Sequence, residues 1–285
     1  MLSTISTVES LPDLRAALRG AEKIGFVPTM GALHPGHASL IERAAAECEQ
    51  VVVSIFVNPT QFAPGEDFEA YPRTRESDVA LCERAGAHLA WFPQVQDLYP
   101  DGAQTWVEVE RLGSSFEGVS RPTHFRGVAT VVTKLFHAVN PARAYFGEKD
   151  LQQLHLIRQM VKDLLFDIEV VAVPTSREPS GLARSSRNSY LSALQREQAA
   201  SIYRGLLAVQ ETVRGGRATP EMLKEIFEGE LESFVGASLE RFDLFRPELS
   251  GIYESTEEVK DGHCSVAVRI GKVRLIDNIQ LCFSP

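Results

Sequence analysis

The strongest constraint on the fold is a pair of apolar runs without alternation, "KIGFVPTM" (23–30) and "VVVSIFVN" (51–58), joined by "GHASLIERAAAECEQ" (36–50). An apolar run that lacks a period of two belongs to a strand covered on both faces. The joining segment sets Leu40, Ile41, Ala44, Ala45 and Cys48 at helical spacing. Strand, helix and strand in this compass make a βαβ unit, and that unit dictates a parallel sheet.

The alternation continues. "SDVALCERAG" (77–86) reads as helix and "AHLAWF" (87–92) as strand, and "FRGVATVVTKLFHAV" (125–139) has a helical period despite its β-branched residues. "PARAYFG" (141–147) is strand-like, "EKDLQQLHLIRQMVKDLL" (148–165) is a well-patterned helix and "DIEVVAVP" (167–174) is a strand. Near the start, "LPDLRAALRG" (11–20) reads as a short amphipathic helix stopped by Gly20. The fold class expected for residues 1–175 is α/β, a Rossmann-like open parallel sheet with helices on both faces.

Beyond Pro174 the character changes. "TSREPSGLARSSRNSYLS" (175–192) is a long polar loop, followed by helical segments near 193–214 and 218–235. Strand-like runs follow at "RFDLFR" (241–246), "HCSVAVRIG" (263–271) and "KVRLIDNIQL" (272–281), with a hairpin at Gly271-Lys272. Residues 176–285 are expected to form a smaller C-terminal α+β domain acting as a lid. "STEEVKDG" (255–262) is expected to be an exposed loop.

Composition narrows the function classes. The 285 residues are 44% hydrophobic and 24% charged, those of an ordinary globular protein with a core large enough to need no staple. A net charge of −9 argues against a nucleic-acid backbone or an anionic membrane as the main partner. Cys48, Cys82, Cys264 and Cys282 form no C-x-x-C pair and read as thiols in a reducing compartment. The N-terminus "MLSTISTVESLPDLRAAL" lacks a basic-then-apolar signal, and no apolar run reaches the length of a membrane span. Cytoplasm is the expected location.

The chemistry concentrates where strands end. After the first buried strand comes "GALHPGH" (31–37), with Gly31 and Gly36 beside His34 and His37. A helix starting near Gly36 is expected to expose unpaired backbone N–H groups and its positive end, a site for an anion such as a nucleoside triphosphate. A plain turn with surface histidines is the bland alternative. In "VNPTQF" (57–62), Asn58 and Gln61 are neutral and both donate and accept, which suits a substrate with hydroxyls and a carboxylate. "RPTHFRGV" (121–128) carries Arg121, His124 and Arg126 before an apolar helix, a carboxylate-recognising set or simply a solvated helix start. "FGEKDLQQL" (146–154) repeats the strand-glycine-helix logic. There Lys149 serves as a point charge for phosphate and Asp150 as a partner for a ribose hydroxyl, unless this is only an acidic first turn. Gln153 lies one turn below on the same face. In "RSSRN" (184–188), two hydroxyls and an arginine have the chemistry to wrap a triphosphate when a loop closes.

These motifs carry a resemblance. "HPGH" resembles the H-x-G-H signature of the nucleotidyltransferase superfamily. The run "PTMGALHPGH", "SIFVNPTQFAPGEDFEAYPRT", "RPTHFRGVATVV", "FGEKDLQQL" and "GLARSSRNSYLS", with "RLIDNI" (274–279), resembles the pantoate–β-alanine ligase family. The resemblance implies ATP-dependent condensation of (R)-pantoate with β-alanine through an acyl adenylate, giving pantothenate, AMP and diphosphate. It implies that ATP meets Met30, Gly31, Ala32, Leu33, His34, Pro35, Gly36, His37, Gly147, Glu148, Lys149, Asp150, Ser176, Arg184, Ser185, Ser186 and Arg187. His34, His37, Lys149 and Arg187 are the catalytic candidates, with a protonated His37 as donor to the leaving pyrophosphate. Gln61, Gln153, His124, Asn58 and Tyr71 are the pantoate and β-alanine candidates, Tyr71 with a packing role as its alternative. Mg²⁺ is expected to arrive with ATP, with Asp78 as its one guessed protein contact and no metal cluster. A homodimer is implied as well.

The loop departs from the family's usual form, close to V-R-E-x-D-G-L-A-M-S-S-R-N. Ser176, Ser180 and Arg184 stand for the valine, the aspartate and the methionine. Arg184 adds a charge near where phosphates are expected. Two rivals stay open on the sequence alone: another H-x-G-H transferase acting on a phosphorylated acceptor, and a nucleotide-sensing module without turnover. Neutral Gln61 and Gln153 speak for a non-phosphorylated acceptor.

Overall fold

The computed structural model of the protein describes residues 5–282 apart from residues 64, 67, 217, 233 and 235. The chain divides into two compact units. The first holds the described residues up to Glu148 together with Gln152–Pro174, and the second holds Lys149–Leu151 and the described residues from Thr175 on.

The strands of the first unit are β1 (Ser6–Val8), β2 (Ile24–Thr29), β3 (Gln50–Ile55), β4 (Leu89–Trp91), β5 (Arg143–Gly147) and β6 (Glu169–Val173). Its helices are α1 (Leu11–Ala17), α2 (Pro35–Glu47), α3 (Arg75–Arg84), the short α4 (Val95–Leu98), α5 (Glu110–Ser114) and α6 (Glu117–Ser120), then α7 (His124–Val139) and α8 (Leu151–Asp163). All strand pairs are parallel, in the order β1-β4-β3-β2-β5-β6. From β2 the chain steps outward through β3 to β4, then returns to the other side of β2 with β5 and β6. The order therefore reverses between β2 and β5. β2 pairs with β3 through Thr29↔Ile55 but with β5 only at Gly25↔Arg143 and Phe26↔Ala144. Past Phe26 the two central strands part, so a crevice opens at their carboxyl ends, where open α/β sheets take ligands.

Both faces are covered, as the unbroken apolar runs require. Ala144 and Phe146 of β5 join one core with α1, α7 and α8, while Tyr145 between them joins a second core with α2 and α3. Helix α7 is the case where burial overrides propensity. Val128, Thr130, Val131 and Val132 are β-branched and buried. Each buried valine contributes about 1.5–3 kcal/mol against a helix-propensity cost of about 0.5 kcal/mol.

The second unit contains α9 (Ala193–Gln198), α10 (Ala200–Gly215), α11 (Pro220–Leu231), β7 (Ala237–Phe245), β8 (Asp261–Ile270) and β9 (Val273–Cys282). Its three strands form an antiparallel sheet in the order β7-β8-β9, with the β8–β9 hairpin closing at Ile270↔Val273 across Gly271-Lys272. Leu206, Val209 and Val213 of α10 and Leu223 and Phe227 of α11 pack on its apolar face. The expected fold class is thus met, a parallel α/β sheet and a smaller α+β part.

Three local expectations change. β1 had no apolar run to mark it, yet it pairs Ser6↔Leu89 through Val8↔Trp91. The helix expected from 148 opens as a 3₁₀ turn, Glu148–Asp150, before α8. The loop 255–262 is not wholly exposed, because Val259 is buried and its N–H bonds Ala218 O at 2.8 Å. Among the described residues all four cysteines are unpaired, and no helix is long and apolar enough to cross a membrane. Burial, and after it the Asp78 charge, pushes the Cys82 thiol up to about 12.

Candidate active site

Where β2 ends, Gly31 (φ +84°) and Ala32 (φ +50°) turn the chain toward α2 through two left-handed residues. A Cβ on Gly31 would stand 3.2 Å from Asp78 Oδ2, so glycine serves both the backbone angle and the space. Asp78 is 2% exposed on α3 and holds this turn. Its carboxylate accepts from Ala32 N–H at 3.1 Å, Leu33 N–H at 2.8 Å and the Thr74 hydroxyl at 3.1 Å. The guess that Asp78 serves Mg²⁺ gives way to this use, which spends its oxygens on the turn. No sequence signal pointed to it, since the partners lie 45 and 46 residues apart.

Helix α2 is capped by two histidines in a reciprocal box. His34 Nδ1 accepts from Gly36 N–H at 3.1 Å, and His37 Nδ1 accepts from His34 N–H at 3.2 Å, with ring centroids 4.1 Å apart. His37 N–H and Ala38 N–H go to His34 O, and Gly31 N–H to the Thr29 hydroxyl. Every backbone amide from Gly31 to Ala38 therefore has a partner within the protein, Pro35 having none to offer. The expectation of unpaired amides at the start of α2 is corrected here, because the histidine box and Asp78 use them. With each Nδ1 accepting, each neutral ring carries its proton on Nε2. Both imidazoles sit at the positive end of α2.

Beside this corner lies an amide cluster. Gln61, on the 3₁₀ turn Pro59–Gln61, donates from Nε2 to Met30 Sδ at 2.9 Å and accepts at Oε1 from Asn58 Nδ2 at 3.0 Å. Asn58 is 1% exposed and fully used: Nδ2 also donates to Gly127 O, and Oδ1 accepts from Thr60 N–H, the Thr60 hydroxyl and the Tyr99 hydroxyl. The structure places Asn58 as the support of Gln61 in place of a substrate contact. Gly127 makes the cluster possible, because a Cβ there would stand 2.5 Å from Thr60 O and 2.8 Å from Gln61 Cα. Sequence reading missed it, since a glycine inside an apolar helix announces a close approach without saying to what.

The basic group ahead of α7 is engaged as well. Arg121 forks Glu66 with two bonds of 2.7 Å. Its third nitrogen donates to His124 Nε2 at 3.2 Å, so His124 Nδ1–H donates to Gln61 O at 2.9 Å. Arg126 lies over the Trp106 ring, 4.9 Å from its centroid. This set is expected to recognise a substrate carboxylate, but the carboxylate that Arg121 holds is the protein's own Glu66. Burial opposes the Glu66 charge, but the Arg121 bonds and charge outweigh it and hold the carboxyl below its usual range. Tyr71 is buried in an aromatic cluster with Phe62, ring centroids 5.9 Å apart, which is its packing role. Gln153 is half-buried on α8. The adjacent Gln152 is buried and donates to Leu112 O and Ser115 O, a loop-holding role the sequence did not reveal. At the end of β5, a Cβ on Gly147 would meet no described atom within 4 Å beyond its own chain neighbours.

The second unit carries the remaining candidates. Lys149 Nζ stands 3.9 Å from Asp150 Oδ1, and Lys149 O accepts from Asn278 Nδ2 at 2.9 Å. The segment from 176 folds back on itself as a small hairpin, with Arg177 bridged to Ala183 and Arg184 N–H on Ser176 O at 2.9 Å. Ser180 Oγ accepts from Leu182 N–H at 3.5 Å, the turn-holding work that an aspartate side chain does elsewhere. Arg184 Nε donates to Arg177 O at 3.2 Å, so its side chain runs back along the hairpin. Ser185 caps the 3₁₀ turn Ser186–Tyr190 through Arg187 N–H. The hairpin is tied to β9 by Arg177, whose guanidinium forks buried Asp277 at 2.6 and 3.0 Å. Burial pushes the Asp277 carboxyl up, and the Arg177 bonds oppose that. Glu178 is held below the usual carboxylate range, chiefly by Arg196. Asp277 and Asn278 belong to "RLIDNI", singled out in the sequence without a role.

A parallel sheet with paired histidines at its switch point defines the class, an α/β nucleotidyltransferase of the H-x-G-H type. Residues 3–280 match the family described as pantoate-beta-alanine ligase. A pantothenate synthetase of Herpetosiphon aurantiacus is 48% identical over 277 residues, covering 96% of this chain and 99% of the relative. The crystal structure of a pantothenate synthetase from Thermus thermophilus superposes with a TM-score of 0.92 at 47% identity, covering 98% of this chain and 100% of that one. That of a pantoate-beta-alanine ligase from Francisella tularensis, complexed with beta-gamma ATP and beta-alanine, gives 0.81 at 36% identity, covering 97% of each chain. The chain belongs to the pantoate–β-alanine ligase family.

Proposed function

We infer that the family's reaction is this chain's own: it is an ATP-dependent ligase that condenses (R)-pantoate with β-alanine. A free carboxylate is a poor electrophile, so pantoate is activated first. Its carboxylate attacks the α-phosphate of ATP and diphosphate leaves, giving pantoyl adenylate. The β-alanine amine then attacks the acyl carbon, an amide forms and AMP leaves. The observation that carries this reading is the histidine box at the switch point, two imidazoles fixed at the positive end of α2, the place proposed for the triphosphate. His34 and His37 stabilise that charge as hydrogen-bond donors, with His37 as donor to the leaving diphosphate. Lys149 and Arg187 neutralise phosphate, with Ser185 and Ser186 as hydroxyl partners. Gln61 orients pantoate, held in turn by Asn58 and His124, and Gln153 is its further partner. The neutral amides at this acceptor site favour pantoate over a phosphorylated acceptor, which sets the rival transferase reading aside.

Histidine N–H groups and a lysine fit phosphate oxygens and supply no lone pair to a metal. Mg²⁺ therefore belongs with the phosphates and water, where it would offset phosphate charge. A cytoplasmic location and a homodimeric state complete the reading.

The test is pyrophosphate exchange into ATP with pantoate and Mg²⁺ present and β-alanine absent. Exchange that depends on pantoate is expected, and it isolates the first half-reaction. Absence of exchange together with absence of AMP on adding β-alanine would overturn the reading in favour of a nucleotide binder.

A further inference from the structure

One dipeptide on β9 has bonds to two segments assigned above to ATP. Asn278 Nδ2 holds Lys149 O at 2.9 Å across 129 residues of sequence. Asp277 holds Arg177 across 100 residues. The Arg177 guanidinium also donates to Gly181 O at 3.1 Å and to Asn278 O at 3.4 Å, and it stands 3.7 Å from the centroid of the Tyr203 ring. Arg184 bonds the backbone of the same hairpin at Ser176 O and Arg177 O, and Ser185–Arg187 follow directly. The geometry points to Asp277 and Asn278 as positioning residues for the adenylation step, setting Lys149 through one bond and the 176–187 segment through another. This inference rests on the assignment of those two segments to ATP.

Sheet stability does not require the pair. β9 keeps its register with β8 at Asp277↔Val266 and Asn278↔Ser265 through the backbone. A buried ion pair is also an inefficient stabiliser, since desolvation offsets much of its attraction and apolar replacement of both partners is often neutral. What the fork supplies is direction, because a planar guanidinium on a carboxylate fixes both position and angle. Asp277 is 3% exposed and its oxygens take the Arg177 fork and Asn278 N–H. This leaves the hairpin little freedom to shift.

Three variants of the full chain test the role: Asn278→Ala, Asn278→Asp and the apolar double replacement Arg177→Met with Asp277→Leu. Melting temperature and the KM values for ATP and pantoate are measured for each. Asn278→Ala is expected to melt near the parent while its ATP KM rises about tenfold and its pantoate KM stays put. Asn278→Asp, which sets an acceptor against Lys149 O, is expected to do the same or more. The double replacement is expected to be folded and still weak for ATP. Folded variants with unchanged ATP KM and kcat would overturn the positioning role and leave the proposed function standing. A rise confined to pantoate KM would instead overturn the assignment of Lys149 and 176–187 to ATP. If the double replacement does not fold, the two Asn278 variants decide.

Discussion

The β2–α2 corner and the 176–187 segment are both assigned to the nucleotide, yet they are fastened by opposite means. The corner is held by partners close in sequence, His34 and His37 capping one helix, with one buried carboxylate added from α3. The segment is held from far away by Arg177 on Asp277, 100 residues on, and nearer at hand by Glu178 on Arg196 and Asn188. In the corner the backbone amides are consumed by the histidine box and Asp78. In the segment Arg177, Glu178 and Arg184 hold the local structure, and Arg187 is the cation proposed for phosphate. A local device of this kind tolerates change elsewhere in the chain. A long-range one fails whenever either end is altered.

The sharpest break of this contrast is His37→Ala. It removes one assigned donor and half of the helix cap, at about 1 kcal/mol of stability. The adenylation rate is expected to fall about 10²–10³-fold with the fold retained, read by pyrophosphate exchange and circular dichroism. An undiminished rate would mean that the corner does not face the triphosphate. Next comes Gly127→Ala, which drives a methyl group into Thr60 O at 2.5 Å. A loss of about 2 kcal/mol in thermal unfolding is expected, with weakened pantoate binding, because the turn carrying Gln61 must shift. Gln61→Ala is expected to raise pantoate KM about tenfold and leave ATP KM alone, which would separate acceptor from nucleotide groups in one assay. Equal effects on both substrates would dissolve that separation.

The smallest effect is expected at Glu66→Gln, about threefold in pantoate KM, since it acts through Arg121 and His124. It carries a pH signature with a fixed sign. The Glu66 carboxyl is held below its ordinary 4.5 in the folded chain, so the unfolded chain binds its proton more readily. Its stabilisation is complete above about 4.5 and drains as pH falls through the lower folded value. Melting temperatures of parent and variant should therefore converge in acid and differ most near neutrality. A constant difference across that range would assign Glu66 a purely steric role.

Much of this was legible because it is local. The unbroken runs at 23–30 and 51–58 gave strands covered on both faces, and the H-x-G-H spacing put two rings on one helix start. Legibility stopped where partners are distant. Asp78, Gly127, Glu66, Gln152 and the Asp277–Asn278 pair each act on residues 35 or more positions away. Nothing in their own surroundings states whom they meet. The same limit explains the misjudged amides at the start of α2. The sequence shows that a helix begins there, but only the folded turn reveals that Asp78 and two imidazoles already occupy its N–H groups.

By itself, then, the sequence determined the alternation of strand and helix, the place of the glycine turns and the residue types gathered at strand ends. Periodicity and backbone preference act over a few residues and are written in order along the chain. Tertiary structure alone decided the strand order that puts β2 beside β5, the tautomers of the histidines, and which polar groups hold the site rather than serve the substrate. Those outcomes depend on distance in space. A hydrogen bond forms only between groups that the completed fold has brought within about 3 Å.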